Sequence, residues 1–485
     1  MSQPGSFQIS ASLLAGLRSP GSRLRIDIPL ICDPHNLPAM KIPSPPSAIT
    51  ARTRQIVQQI ADQCEVTLDQ VEDAYPCTHF QTDSFEASTR DPGIMHTNFV
   101  FKLTDHTSEA FARLTKAFQS VHDRHPLLRT RIVQYKPPEA TTPRFAQAVI
   151  KQDFQWLEFD DLEAYCRERI GHCLRYGEQV VHHGISRDKK WLVWTLHHVV
   201  YDGWSLGMIW KEICDSWSAA GKKESILEKQ PKFVNFIAHL QDPMTKADQA
   251  FWTQHLADYK GPWFEHHQHP PNTNAHRSGT LELVRAREST LSTTARIQAA
   301  WFCMLAELFR NLDVMTFTIG TGRHVPVEGV AEMVGPCMCS TAFRQRLDPK
   351  KPLYDFILQV QESSSAMLEH EHAGIESFRR LIEEAQRPNY ILNLKTGLGG
   401  GLDGVPGLEF QPPSAELLKA SREWGMQVTV GEELIRWDMF LDTERLDQDS
   451  VALICERFPL LLRRCQTVES RDGVALGDVV DLARL

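Results

Sequence analysis

The chain has 485 residues, 42% hydrophobic and 23% charged, enough to bury large cores and too long for one ordinary domain. Its formal charge of -9 is spread along the sequence without a long Lys/Arg block, which excludes the electrostatic footprint of a nucleic-acid binder and favours a small-molecule or protein partner. The eleven Cys show neither a disulfide framework nor a Cys-x-x-Cys metal knuckle, and no apolar run reaches the roughly 20 residues a bilayer requires, so the expectation is a cytoplasmic protein with no membrane partner.

From Met1 to about Ile49 the sequence is rich in Ser, Pro and Gly and ends in Pro43–Pro46, a lead-in with little to bury. Ile56 and Ile60 predict a helix over Thr50–Cys64, and Val66, Leu68 and Val71 a second short helix before Pro76. Thr97–Leu103 alternates as a strand, and Leu114, Ala117, Phe118 and Val121 form the stripe of a helix over Ala110–His125. Glu178–Ile185, Ser186–Lys190 and Trp191–Val200 read as strand, polar hairpin and strand; the second is apolar on both faces and therefore central. A turn at Tyr201–Gly203 leads into a helix over Trp204–Trp217.

Residues 260–279 form a Pro-, Asn- and His-rich loop, followed by a strand at Thr280–Val284 and an apolar helix at Ala295–Phe309. Further strands are expected at Met315–Ile319, Tyr390–Leu394 and Leu434–Leu441, and helices at Leu353–Leu368 and Ile375–Glu384. The expected division is 1–64 as an extension or linker, 65–240 and 241–472 as two α/β bodies, and 473–485 as a tail.

His197, His198, Asp202 and Gly203 end a buried strand just before a tight turn. An imidazole there, with an ordinary pKa of about 6.5, can accept a proton near neutral pH. Standing alone, the same pattern is more often a pair of core histidines followed by an Asp-Gly turn.

It does not stand alone. His197-His198-Val-Val-Tyr-Asp202-Gly203-Trp204-Ser205 resembles the active-site motif of nonribosomal peptide synthetase condensation domains. Tyr75–Thr78 with Gln81, Arg124–Thr130 and Phe233–Ile237 resemble that family in the right order. So do Gly320–Arg323, Met333–Pro336 with Arg344, His370–His372 and Tyr390–Leu394. The resemblance runs from about Glu65 to Arg464, and the segment Cys64–Thr78 is similar to fungal members.

The resemblance implies an α/β fold of two chloramphenicol-acetyltransferase-like lobes, a V-shaped pseudo-dimer with a central tunnel. The function it implies is transfer of a carrier-bound acyl or peptidyl thioester to a small-molecule amine or hydroxyl, forming an amide or ester, macrocyclisation included. It makes His198 the catalytic histidine, Asp202 a structural carboxylate paired with Arg129, Gly203 a backbone N–H donor, and His197 a support from the strand. Trp204, Ser205, Arg344 and Asn393 become substrate-binding positions. Because the thioester is already activated, no metal and no bound cofactor are expected of this chain. Phosphopantetheine would be carried by partner carrier proteins, and the enzyme is expected to be monomeric and free-standing.

Two segments depart from the family pattern. His79-Phe80 replaces the usual Pro-Leu, and Cys339-Ser340-Thr341-Ala342 stands where Asn-Thr-x-Pro is expected, which leaves the substrates open. No Gly-Gly-x-Ser carrier site is present, and Gly397–Gly404 reads as a loop.

Three rivals remain at this point. Gly203-Trp204-Ser205-Leu206-Gly207 matches the nucleophile elbow of a serine hydrolase, which would need partners such as Asp313 and His370. An acyl-coenzyme A-dependent acyltransferase would use the same His198 and Asp202, and a docking scaffold would use neither. The loop His266-His267-Gln268-His269 with His276 offers imidazoles to a metal, but Pro270 and Pro271 suggest nothing that would orient them.

Overall fold

The structure, a computed structural model, describes residues 40–41, 51–137, 144–218, 231–240, 245–261, 274–284, 289–373, 381–382, 390–396, 402, 404–411, 424–444, 446–471 and 473–481. The expected helix at Ile375–Glu384, the His266–His269 loop and most of Gly397–Gly404 lie outside the described residues.

The first elements are β1 (Met40–Lys41), α1 (Ala51–Cys64), β2 (Val71–Pro76), α2 (His79–Arg90), β3 (His96–Leu103) and α3 (Ser108–Arg124). They are followed by β4 (Thr130–Tyr135), β5 (Arg144–Ile150), β6 (Leu157–Phe159), α4 (Leu162–Ile170), β7 (Val181–Ser186), β8 (Trp191–His197) and α5 (Gly203–Ser218). Next come α6 (Phe233–Leu240), α7 (Lys246–Leu256), β9 (Ala275–Glu282), α8 (Thr293–Phe309), β10 (Asp313–Gly320), β11 (Cys339–Arg346) and α9 (Leu353–Leu368). The chain continues through β12 (Tyr390–Thr396), β13 (Leu408–Gln411), β14 (Trp424–Val430), β15 (Leu434–Leu441) and α10 (Gln448–Thr467).

These strands form three sheets, ordered β1-β2-β5-β4, β13-β3-β8-β7-β6 and β11-β10-β12-β14-β15-β9. β8 is central, as its two apolar faces predict, with β3 and β7 antiparallel on either side. Trp194, Leu192 and Leu196 bury one face of β8 with Phe118 of α3 and Ile209, Trp210 and Ile213 of α5. β13 crosses over from the later part of the chain to pair with β3 at the edge of this sheet.

The six-stranded sheet has two unlike faces. Leu392, Met426, Val428 and Met439 pack with α8 and α10 in the largest core. Because side chains alternate along a strand, the opposite face carries the laterally paired set Asn393, Gln427 and Asp438, and beside it Lys395, Thr429 and Arg436. On that polar face Asp438 is buried and accepts from His276 and Arg436, while Lys395 is exposed.

Three boundary expectations are corrected. Ala51–Cys64 is not part of an extension: Ile56, Val57, Ile60, Ala61 and Cys64 share a core with Val71, Ala74, Val133 and Ala148. The second helix expected before Pro76 is a short 3-10 turn and then β2, because this segment's partner is β5 and its alternate residues are needed in that core. Residues from 473 are not a tail: Leu476 and Val480 belong to the largest core, and Leu353 N–H donates to Val474 O. Apolar side chains with a partner distant in sequence decided each case.

Candidate active site

β8 ends at His197, a 3-10 turn covers His198–Val200, and α5 begins at Gly203. The two histidines have opposite environments. His197 is fully buried; its Nδ1 accepts from Val199 N–H at 3.1 Å, so its proton sits on Nε2, which donates to Ser88 Oγ at 2.7 Å. Ser88 in turn donates to Ile94 O at 2.7 Å. Burial and the neighbouring His96 hold the His197 pKa well below its ordinary value, so the ring is a neutral strut.

His198 is partly open to solvent. Its Nδ1 lies 2.8 Å from Tyr201 O, and a carbonyl only accepts, so Nδ1 carries the proton and Nε2 keeps its lone pair. The ring stacks on Tyr201 with centroids 4.6 Å apart and meets the edge of Phe80 at 5.4 Å. Phe80 is one of the residues that departs from the family pattern, and it meets the His198 ring. Burial lowers the His198 pKa, the Tyr201 carbonyl and Asp202 oppose that, and the charge of Lys395 on β12 adds to the lowering. The result is a neutral imidazole with a fixed tautomer.

Asp202 is buried and fully engaged. It caps α5: Oδ1 accepts from Ser205 N–H and Ser205 Oγ–H, both at 2.7 Å, while Asp202 N–H donates back to Ser205 Oγ at 2.9 Å. Oδ2 accepts from Cys337 N–H at 3.0 Å, and Arg323 donates to both oxygens at 3.2 and 3.1 Å. Arg323 also donates to Val330 O, Met333 O and Gly335 O, which knits the 330–337 segment to the start of α5. Trp204 adds a second tie through Nε1–H to Ala331 O at 2.9 Å.

The expected Asp202–Arg129 pair is therefore corrected. Arg129 pairs with Glu72 on β2 at 2.5 Å and donates to Ile150 O, while Asp202 takes Arg323. Spacing along the chain does not choose between two arginines. The turn after β10 does: Gly322 has φ 66°, and a Cβ there would stand 1.7 Å from Cys337 O, so only glycine permits the close turn that delivers Arg323.

Gly203 is exposed, with nothing within 4 Å of where a Cβ would stand. Its N–H is among the first of α5, has no intrahelical acceptor and stands at the positive end of the helix. Ser205 is completely buried and its hydroxyl is held by Asp202, out of reach of any substrate. Arg344 sits elsewhere on β11, buried and bound to Asp313, Ala257 O and His255 O, so its expected role at the substrate is not available to it. Asn393 lies on the polar face of the six-stranded sheet, two residues from Lys395.

Arg323 was within a quoted family segment but unassigned, and Tyr201, Ser88 and Lys395 carried no usable signal. Lys395 is exposed, its pKa lowered by burial of its surroundings and raised by Asp438.

Residues 71–392 match the sequence profile of the Condensation domain family. The nonribosomal peptide synthetase easA of Emericella nidulans is 25% identical over 92% of this chain and 6% of its own length. The nonribosomal peptide synthetase sidD of Aspergillus fumigatus is 26% identical over 79% of this chain and 19% of its own length. For the malformin synthetase mlfA of Aspergillus sclerotiicarbonarius the figures are 29%, 76% and 7%. The chain thus spans a small part of each of these curated relatives. The crystal structure of the starter condensation domain of rhizomide synthetase RzmA shares the fold, with a TM-score of 0.65 at 15% identity over 83% of this chain and 99% of that one. The condensation domain of the Monacolin K polyketide synthase MokA does so with a TM-score of 0.64 at 16% identity, over 82% and 99%.

The fold is mixed α/β, built around a histidine at a strand end. The chain belongs to the condensation-domain family of nonribosomal peptide synthesis, as its central motif and flanking segments predict. Its matched relatives are fungal.

Proposed function

We propose that this chain joins a carrier-bound acyl or peptidyl thioester to an amine or hydroxyl, forming an amide or ester at His198. The observation that carries this reading is the fixed tautomer of His198: Nδ1–H is anchored on Tyr201 O, which leaves Nε2 as the one ring atom able to accept a proton. The nucleophile attacks the thioester carbonyl, and its proton passes to Nε2 or is held there while the tetrahedral centre forms. The oxyanion is met by Gly203 N–H at the start of α5. Collapse expels the carrier's phosphopantetheine thiolate, which takes up the proton and departs as the thiol.

Asp202 acts through the backbone. By capping α5 and holding Arg323 and Cys337 N–H, it sets the turn between His198 and Gly203. Two lobes with a tunnel between them suit this chemistry, since carrier arms can then reach His198 from opposite ends. His198 is partly open to solvent and so within reach of such an arm. The partners are loaded carrier domains of the same or another chain, and the described helices include none long and apolar enough to cross a membrane. The hydrolase reading loses its nucleophile in the buried Ser205.

The test is intact-mass analysis of candidate donor and acceptor carriers, loaded with defined acyl and aminoacyl groups and incubated with the protein or with its His198→Ala variant. The reading expects a mass gain on one carrier, equal to the transferred acyl group, with wild type alone. Equal transfer by the variant refutes it. Equal turnover of the same acyl group presented on coenzyme A would move the donor assignment to a free coenzyme thioester.

A further inference from the structure

The turn that delivers Arg323 to Asp202 also delivers His324 to a second buried carboxylate, Glu371. Glu371 follows α9 in a 3-10 turn and is 4% exposed. Its Oε1 accepts no hydrogen bond, although the atom is fully enclosed. A buried carboxylate oxygen without a donor is costly and calls for a cation. Arg323, the neighbour of His324 in the chain, is taken by Asp202.

What surrounds Glu371 is a set of metal-ligating atoms. The donor atoms of Cys339, Glu371 and His372 all lie within 4.8 Å of one another. His324 Nδ1 is 3.5 Å from the orphaned Oε1, and His372 Nε2 is 4.0 Å from it. Room is provided by Gly320, paired with Cys339 across β10 and β11: a Cβ there would stand 2.7 Å from Glu371 Oε2 and 3.4 Å from Cys339 Sγ. Cys339 is the first residue of the segment that departs from the family pattern, so its thiol is a property of this sequence.

We propose that Cys339, Glu371, His372 and His324 bind one Zn²⁺ ion. One sulfur, two imidazoles and a carboxylate are the donor mixture zinc prefers, and four protein ligands make a closed, structural site. Zinc–ligand bonds of about 2.0–2.3 Å require the side chains to draw in by about an ångström. Binding expels one proton, from the Cys339 thiol. Ligation through His372 Nε2 replaces its hydrogen bond to Gly322 O and moves the ring proton to Nδ1. Thiolate and carboxylate together neutralise the ion. The site ties the turn at Gly320–His324 to the residues after α9, and so stiffens the turn that presents Arg323. It rests on these residues alone and stands whether or not the acyl-transfer reading does.

The experiment is native mass spectrometry of the full chain after exposure to Zn²⁺ and dialysis, paired with absorption spectra after Co²⁺ substitution. Wild type should retain one zinc and show an intense thiolate-to-cobalt charge-transfer band. Cys339→Ser should lose that band, and both Cys339→Ser and His324→Asn should bind zinc at least about 100-fold more weakly. His324 is half-exposed, so its replacement keeps the fold if the cysteine variant does not, and circular dichroism checks each. Absence of stoichiometric zinc from folded wild type overturns the site. So does undiminished zinc in the His324→Asn variant, or a cobalt spectrum without a thiolate band.

Discussion

Asp202 and Glu371 are both buried carboxylates served by the turn after β10, yet one is closed and the other open. Asp202 receives two donors from Ser205, one from Cys337 and a guanidinium from Arg323. Glu371 keeps an oxygen with no donor, beside the Cys339 thiol and the His372 imidazole and 3.5 Å from His324 Nδ1. The difference teaches how one turn can be built for two jobs. A fully satisfied carboxylate makes a rigid frame, whereas an unsatisfied one among soft ligands makes a place for a cation.

The comparison breaks first at Arg323. Its removal leaves Asp202 charged and buried without its cation, so Arg323→Ala should cost about 3–5 kcal/mol in urea unfolding and abolish transfer. A variant within about 0.5 kcal/mol of wild type would show that the frame is not held by this pair.

His198 lies outside that frame and should separate activity from stability. His198→Ala is expected to slow transfer about 10²-fold, with an unfolding midpoint close to wild type. A large loss of stability instead would make the residue another strut like His197.

Acid should act through the buried imidazoles. His96 and His182 are held down to about 4 mainly by burial, with the charge of His182 adding for His96 and that of Arg169 for His182. Unfolded histidines titrate near 6.5, so between about 6.5 and 4 the unfolded chain binds more protons and stability rises with pH. The stabilisation is complete above about 6.5 and is lost as the pH falls toward 4, at up to about 1.4 kcal/mol per pH unit for each histidine. Urea midpoints at pH 7, 6 and 5 that do not fall would contradict this.

Ser205→Ala removes one donor to Asp202 and should cost about 1 kcal/mol, while wild type should resist fluorophosphonate labelling at Ser205. Labelling there would restore the hydrolase reading. The smallest effect belongs to Arg129: its pair with the half-exposed Glu72 should be worth about 1 kcal/mol or less, with transfer unaffected beyond a small factor. Loss of activity in Arg129→Ala as large as in Arg323→Ala would reverse the pairing assigned here.

Much of the fold was legible in local pattern. Leu353–Leu368 and Leu434–Leu441 fall where their periodicity predicts, and β8 is central because both its faces are apolar. What escaped was non-local. The strand at Val71–Pro76 has the apolar content of a short helix, and pairing with β5 decided it; the segment after residue 473 looks polar and terminal, yet Leu476 fills the largest core.

The sequence by itself determined the strand, turn and helix that hold His198, Asp202 and Gly203 within a few residues of one another, because those relations are set by spacing alone. Only the tertiary structure decided which arginine meets Asp202, that Phe80 meets the His198 ring, and that Cys339, Glu371, His372 and His324 converge. Those contacts join residues from separate elements, and no local period encodes which of several like side chains a turn such as Gly320–His324 will carry to a buried charge.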